Sequence, residues 1–309
     1  MIPTKKYMIL SILLGSIYTG CYAQQDSEYT QYMYNTVAIN PAYAGSRGHL
    51  SANLLYRSQW VGLDGAPEVL NFSLNTPIGL RGAGLGLSFF NDRIGPSDES
   101  NVAADFSYTI KLGWETHLSF GLKVGVNLLN VDYSKLNIFD PTDPNFQNNI
   151  DNRLSPSVGP GIYLRHHEKW YLGLSSPNVL STDHFDDVAI SNATERANIY
   201  LIGGYVFDFN RNLKFKPAFL VKAVSGAPLD IDLSANFLFS EAFSLGASYR
   251  WDAGASALIG FQISPSLMFG YAYDYDASEL GNYNSGSHEL FLRFELGTRV
   301  RRSVSARFF

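Results

Sequence analysis

The chain has 309 residues, of which 14% are aromatic and 17% charged, with a formal net charge of -5. Soluble domains average about 25% charged residues, so polar surface is scarce here, and the acidic balance argues against a nucleic-acid partner whose phosphates need a basic face. Cys21 is the only cysteine, which excludes disulfides and thiolate metal sites.

Residues 1–23 read as a secretory signal. Lys5 and Lys6 form the charged n-region, Met8 to Ile17 the apolar h-region, and Cys21-Tyr22-Ala23 the small-residue cleavage site. Loss of the two lysines takes the formal charge from -5 to -7. A lipoprotein cleavage would keep Cys21, but Tyr18 and Thr19 stand where aliphatic and small residues usually precede a lipidated cysteine. Residues 24–48 lack a period-two pattern and are rich in tyrosine. They form an N-terminal periplasmic or plug-like segment in this reading.

From His49 onward apolar residues recur at every second position, the pattern of a transmembrane β-strand, in segments of about ten residues. No stretch after the signal reaches the 18 or so apolar residues that a spanning helix needs. The first strands carry Leu50, Ala52, Leu54 and Tyr56; Leu70, Phe72 and Leu74; Leu85, Leu87 and Phe89; Val102 to Ile110; and Leu118 to Leu128. Four more follow from Val158, Trp170, Ile199 and Phe215, and five from Ile231, Phe243, Ala257, Leu267 and Leu290. The expectation is an all-β antiparallel barrel of about fourteen strands over residues 49–296, in the outer membrane and in contact with its lipids, followed by a periplasmic tail, 297–309.

Loop lengths offer an independent check, because bacterial barrels have short periplasmic turns and longer outer loops. The odd-numbered connections are expected to be long: 61–67, 91–99, 131–154, 176–197, 223–229, 251–254 and 276–287. The even-numbered ones are mostly four or five residues, which puts both chain ends on the periplasmic side. A soluble β-sandwich also alternates, but its polar faces should carry many charges, whereas these are mostly Ser, Asn and Gly. Pro160 and Pro217 fall inside strands and are read as bulges. Lumen-facing Gly159, Gly161, Gly173, Gly204, Gly246, Gly260 and Gly270 suggest an interior with space, or one approached closely by another segment.

Gln31-Tyr32-Met33-Tyr34-Asn35, Asn40-Pro41-Ala42-Tyr43-Ala44-Gly45, Tyr56-Arg57-Ser58-Gln59-Trp60-Val61-Gly62 and Asp64-Gly65-Ala66-Pro67 together closely resemble the PorP/SprF family of Bacteroidota outer-membrane proteins. The ending Ser305-Ala306-Arg307-Phe308-Phe309 is similar to the family's Ser-Pro-Arg-Tyr-Phe, with departures at Ala306 and Phe308. The resemblance implies a component of the type IX secretion and gliding machinery, with periplasmic lipoprotein and ring subunits or a secreted surface adhesin as partner. Candidate partner-binding residues are Asn40, Pro41, Tyr43, Gly45, Arg57 and Trp60, and in the tail Arg299, Arg301, Arg302, Arg307 and Phe309. The four arginines could pair carboxylates of a partner, or the tail could be merely a solvated terminus.

Tyr43, Arg57 and Trp60, with Trp114, Trp170 and Trp251, fit an interfacial girdle better than a binding site. The segment around Asn40-Pro41 is a candidate plug for the lumen or its periplasmic mouth. The six histidines are scattered and no HExxH, GxSxG or CxxC occurs, so no catalytic site, metal or cofactor is expected. Asp140 to Asn145 and the cluster Asp183, Asp186 and Asp187 lack the glycine and terminal glutamate of a calcium loop. The leading expectation is a non-enzymatic barrel that holds its partners by binding. The rivals are a diffusion porin, favoured by the wide lumen of fourteen strands, and a barrel enzyme.

Overall fold

The computed structural model describes residues 29–79, 82–137, 143, 148–180 and 197–296. Their strands are β1 (Leu50–Ser58), β2 (Glu68–Ile78), β3 (Ala83–Ile94), β4 (Ser97–Lys111), β5 (Thr116–Val131), β6 (Ile150–His166), β7 (Trp170–Ser175) and β8 (Asn198–Tyr205). They continue with β9 (Phe207–Asn210), β10 (Leu213–Val224), β11 (Asp230–Phe239), β12 (Phe243–Arg250), β13 (Gly254–Ser264), β14 (Leu267–Asp276) and β15 (Ser287–Leu296). Every pairing is antiparallel, neighbours in sequence pair except that β8 and β9 both pair with β10, and β1 closes the ring on β15, Leu50 opposite Leu296. β8 and β9 occupy one stave, so the closed barrel has fourteen. No helix among the described residues is long and apolar enough to cross a membrane.

The alternation sets which side each residue faces. Leu54, Phe72, Leu87, Phe106, Leu122, Leu172, Leu245 and Leu292 are exposed on the outer wall, while Ser51, Asn53, Asn71, Ser73, Ser107, Ser119 and Asn236 are buried on the inner one. A water-soluble monomer rarely shows an apolar patch beyond a few hundred Å², and here apolar side chains ring the whole wall. Acyl chains are the solvent that fits it. Inside, charges replace the expected Ser, Asn and Gly at several positions: Asp105 and Lys123 pair at 3.4 Å, and Arg57, Glu289 and Arg293 are fully buried.

Neither proline is a bulge. Ala218 pairs with Gly204 and Phe215 with Phe207, so the register is unbroken across Pro217. The stave is interrupted only where Pro217 has no N–H to give, and that interruption separates β8 from β9. Pro160 sits where β7 ends: its carbonyl accepts from Ser176, beyond the last β6–β7 pair, Gly161 with Ser175. Above that point β6 runs on to Ile150 with no strand beside it on that flank among the described residues, and Pro156 lies on the same stretch. Proline at an unpaired edge removes a donor that would otherwise invite another chain.

Loop lengths alternate less cleanly than expected. The connection expected over 91–99 is a two-residue turn at Gly95 and Pro96, because Asp92 pairs with Glu99 and Arg93 with Asp98 as strand residues. Gly95 adopts φ +55, a left-handed conformation that glycine accepts readily in a tight hairpin. Arg93 and Asp98 also form an ion pair of 2.9 Å. These charges mark strand ends that rise past the apolar belt. The longest connection on the same end runs from Ser175 to Asn198, and the opposite end has only short turns such as 211–212 and 265–266.

Candidate functional site

The lumen is occupied by the chain's own N-terminal segment. Tyr32, Met33, Tyr34, Val37, Ile39, Ala42, Tyr43 and Ala44 form one buried cluster with inward residues of the wall, including Tyr163, Tyr171, Tyr200, Ile202 and Phe291. Within the segment a single helical turn, α1 (Thr36–Ile39), is followed by a 3-10 turn at Pro41–Tyr43. Asn40 begins that turn: its side chain accepts from the Ala42 amide at 3.0 Å, and Pro41 occupies the first position, where a missing N–H costs nothing.

Backbone polar groups taken out of water need partners, and the wall supplies them. Ser175 donates to the carbonyl of Ile39 at 2.7 Å, Ser107 to that of Ala44 at 2.7 Å, and Lys123 to that of Ala38 at 3.3 Å. The Asn40 side-chain amide donates to the carbonyl of Ile162 at 3.0 Å. Asn35 donates to Asn71 and accepts from Ser73, at 2.8 and 2.7 Å. Close approach is possible because the wall is notched with glycine. A Cβ on Gly121 would collide with the backbone of Pro41 and Ala42, one on Gly84 with the carbonyl of Ala44, and one on Gly161 with the Asn40 side chain.

At the long-loop end Glu289 accepts both the Thr30 and Gln31 amides, at 3.0 and 2.8 Å. Arg57 bridges Glu289, at 3.2 Å, and Asp274, which also accepts from the Thr30 hydroxyl at 2.8 Å. In mid-lumen the Tyr34 ring stacks on Phe291 at 5.1 Å, with Arg293 over it at 5.6 Å and Lys216 at 5.9 Å. Burial pushes the phenol of Tyr34 up, and that of Tyr32 well above its ordinary range. At the short-turn end Arg47 reaches Glu295 at 2.6 Å and the Tyr43 hydroxyl at 3.1 Å. The Gly45 amide donates to Asn75 at 3.3 Å.

Four of the expected partner-binding residues, Asn40, Pro41, Tyr43 and Gly45, thus lie together inside the barrel on β4 to β6 and the β2–β3 turn side. Arg57 belongs to the separate ionic cluster at the other end. The girdle expectation fails for Tyr43 and Arg57, which are 6% and 2% exposed and point inward, Tyr43 edge-on to Tyr163 at 5.3 Å. Trp60 does lie at the long-loop rim, its amide donating to Ser287 at 3.2 Å; Trp251 is exposed at that end, and Trp114 and Trp170 lie at the other. Arg299, Arg301, Arg302, Arg307 and Phe309 lie outside the described residues, as do Asp183, Asp186, Asp187 and most of 140–145. Of the segment expected over 24–48, the described part from Tyr29 onward lies in the lumen, with Thr30 and Gln31 at the end opposite the short turns, held there by Glu289 and Arg57.

Sequence reasoning missed Glu289, Asp274, Glu295, Arg47 and Tyr34, and the glycines Gly84 and Gly121. The signal was present in the alternation, which puts Glu289 and Arg293 on the lumen face of β15 between Leu290, Leu292 and Phe294. A buried charge needs a countercharge: the segment's Arg47 adds one to Glu295, which the wall's Arg293 also faces at 3.8 Å, and the Thr30 hydroxyl donates to Asp274. Among the described residues no three His, Cys, Asp or Glu side chains gather to hold a metal ion.

Fold and lumen together define a membrane β-barrel of the outer membrane whose interior is filled by its own N-terminal segment. The family profile described as type IX secretion system membrane protein PorP/SprF matches residues 21–294, and the chain belongs to that family. Among solved structures it is similar to the CymD monoaromatic hydrocarbon channel, with a TM-score of 0.53 at 13% identity over 86% of this chain and 94% of that one. It is also similar to the P. putida toluene transporter TodX, with a TM-score of 0.50 at 10% identity over 86% of this chain and 95% of that one. Identities this low speak for the barrel fold alone. No curated protein sequence matches the chain.

Proposed function

We propose that this barrel is a non-conducting anchor of the type IX machinery, holding periplasmic machinery subunits or an exported surface protein at the outer membrane through binding and without catalysis. The observation that carries the reading is the filled lumen. Residues 30–45 are fixed to the wall at both ends and in the middle, and the glycine notches of the wall are occupied by Pro41, Ala42 and Ala44. A diffusion porin needs a continuous aqueous path, whereas this segment replaces water along the axis with Tyr32, Tyr34 and Tyr43.

The tail, 297–309, with its four arginines and no acid, suits a periplasmic contact beyond the short-turn end. The rigid barrel would then serve as the fixed point from which that contact is made. The test has two parts. In planar bilayers the intact protein should give no resolved conductance, and deletion of 24–45 should open it. A steady conductance of the intact protein would transfer the reading to a channel. In mild detergent, periplasmic subunits or an exported surface protein should co-purify with the full chain, and equal recovery after removal of 298–309 would take the tail out of the proposal.

A further inference from the structure

Arg293 stands on the lumen face of β15, opposite Asn53 of β1 and Met268 of β14 in register, and is 2% exposed. A guanidinium is a fork of N–H donors, and burying donors without acceptors is costly. The described residues offer this one little. Nη2 donates to the Met268 sulfur at 3.1 Å, a weak acceptor, and Nε is 3.8 Å from Glu295, beyond hydrogen-bond reach. Glu295 is already engaged by Arg47 at 2.6 Å, with His49 at 3.5 Å. Nη1 is buried and meets no hydrogen-bond partner among the described residues. The rings of Tyr34 and Phe291 lie 5.6 and 5.4 Å from the guanidinium carbon, an attraction that satisfies no donor.

We propose that a monovalent anion of about chloride size binds against Arg293 in the short-turn half of the lumen, taking the hydrogen bond of Nη1. A small cavity lies beside the guanidinium: Tyr34 and Met268, which Arg293 touches, both line it, together with Ser244, Gln262 and Glu241 of the β11–β12 turn. Its space suits one water-sized occupant, which admits a halide and rejects phosphate or the carboxylate of a peptide. Charge then separates a halide from water. Arg47 and Arg293 share one carboxylate, that of Glu295, and Lys216 brings a further cation to 5.9 Å from the same Tyr34 ring. Glu241, at the short-turn end of the cavity, has Lys214 at 3.8 Å. A positive field around a buried donor favours an anion over a neutral molecule. Because Arg293 stands over Tyr34, the anion would stabilise the filled lumen; the inference does not draw on the anchoring role.

The test uses the full chain in detergent micelles, unfolded with urea because a guanidinium salt would itself supply the ion. Sodium chloride is compared with sodium gluconate at one ionic strength. The folded-to-unfolded ratio should rise about tenfold for each tenfold increase of chloride above its dissociation constant, and bromide should act alike. Arg293→Gln should abolish the difference between the two salts. Should that variant fail to fold, the wild type still decides the matter: crystals grown in sodium bromide should show an anomalous scattering peak within hydrogen-bond distance of Arg293 Nη1. Equal unfolding profiles of the wild type in chloride and gluconate would give the place to water and overturn the proposal. A bromide peak without any chloride dependence would mean binding at crystal concentration only, and would overturn it too. Chloride dependence that survives Arg293→Gln would move the ion away from this group and refute the site.

Discussion

Replacing Arg57 by methionine should be the most damaging single change in the lumen. The methionine keeps much of the side-chain volume but leaves Glu289, fully buried, and Asp274 without the cation that bridges them. At 3.2 Å and an effective dielectric constant near 20, the Arg57–Glu289 attraction alone is about 5 kcal/mol. Relaxation and water entry reduce that figure, and breaking a buried pair from one side usually costs about 3–5 kcal/mol. Glu289 would keep the Thr30 and Gln31 amides, which places the expectation near the lower bound, about 3 kcal/mol. The assay is equilibrium unfolding by guanidinium from lipid vesicles, followed by tryptophan fluorescence, with heat-dependent gel mobility as a check on barrel closure. Adding Glu289→Gln to Arg57→Met removes one stranded charge and should recover at least about 1 kcal/mol. A loss under about 1 kcal/mol for Arg57→Met, or a double variant worse than the single, would show that water and not Arg57 balances the two carboxylates.

Gly121→Val drives a side chain into the Pro41–Ala42 backbone and should cost about 1–3 kcal/mol while raising protease cleavage of residues 29–48; unchanged cleavage would mean the segment does not lie against β5. Tyr34→Ala removes a ring stacked on Phe291 and should cost about 3–5 kcal/mol, whereas Tyr34→Phe gives up only a 3.3 Å contact with Ser244 and should cost less than about 1 kcal/mol, both read in the same unfolding assay. Because the Tyr32 and Tyr34 phenols are raised in the folded state, the unfolded chain releases their protons first as pH climbs past the ordinary tyrosine value of 10.0, so stability falls there. The wild type should lose up to about 1.4 kcal/mol per pH unit per phenol relative to a Tyr32→Phe, Tyr34→Phe double variant, and parallel pH profiles would count against burial of these hydroxyls. Pro217→Ala restores a donor opposite Tyr205 without changing register and should stabilise by up to about 1 kcal/mol; a loss would mean the break at Val206 is held by something other than the missing N–H.

The wall was legible because one rule governs all of it. Lipid outside and polar groups inside force a period of two, and from β1 to β15 the alternation assigns the residues of the apolar belt to the face they take. The occupant of the lumen was legible only as an irregular, tyrosine-rich stretch. Its turns are single and local, and its position depends on partners more than two hundred residues away, such as Glu289 for Thr30. No periodicity encodes such pairings. The lumen glycines suggested a close approach, yet Gly246 and Gly260 meet wall side chains, and the tightest notches include Gly84 and Gly121, which the pattern did not single out. The 91–99 hairpin was misjudged because Asp92, Arg93, Asp98 and Glu99 look like loop residues until they are seen paired across two strands.

The seam between β1 and β15 sets an order of events in assembly. The two strands that meet there come from the two ends of the barrel sequence, and the cluster that clamps Thr30 and Gln31 is built from β1, β14 and β15. That clamp does not exist until the last hairpin has been made. A tyrosine-laden segment cannot be threaded into a wall already sealed and packed, so it has to lie in place while the sheet is still an open, curling ribbon. Closing the seam then traps it, and one step fixes both the ring and its contents.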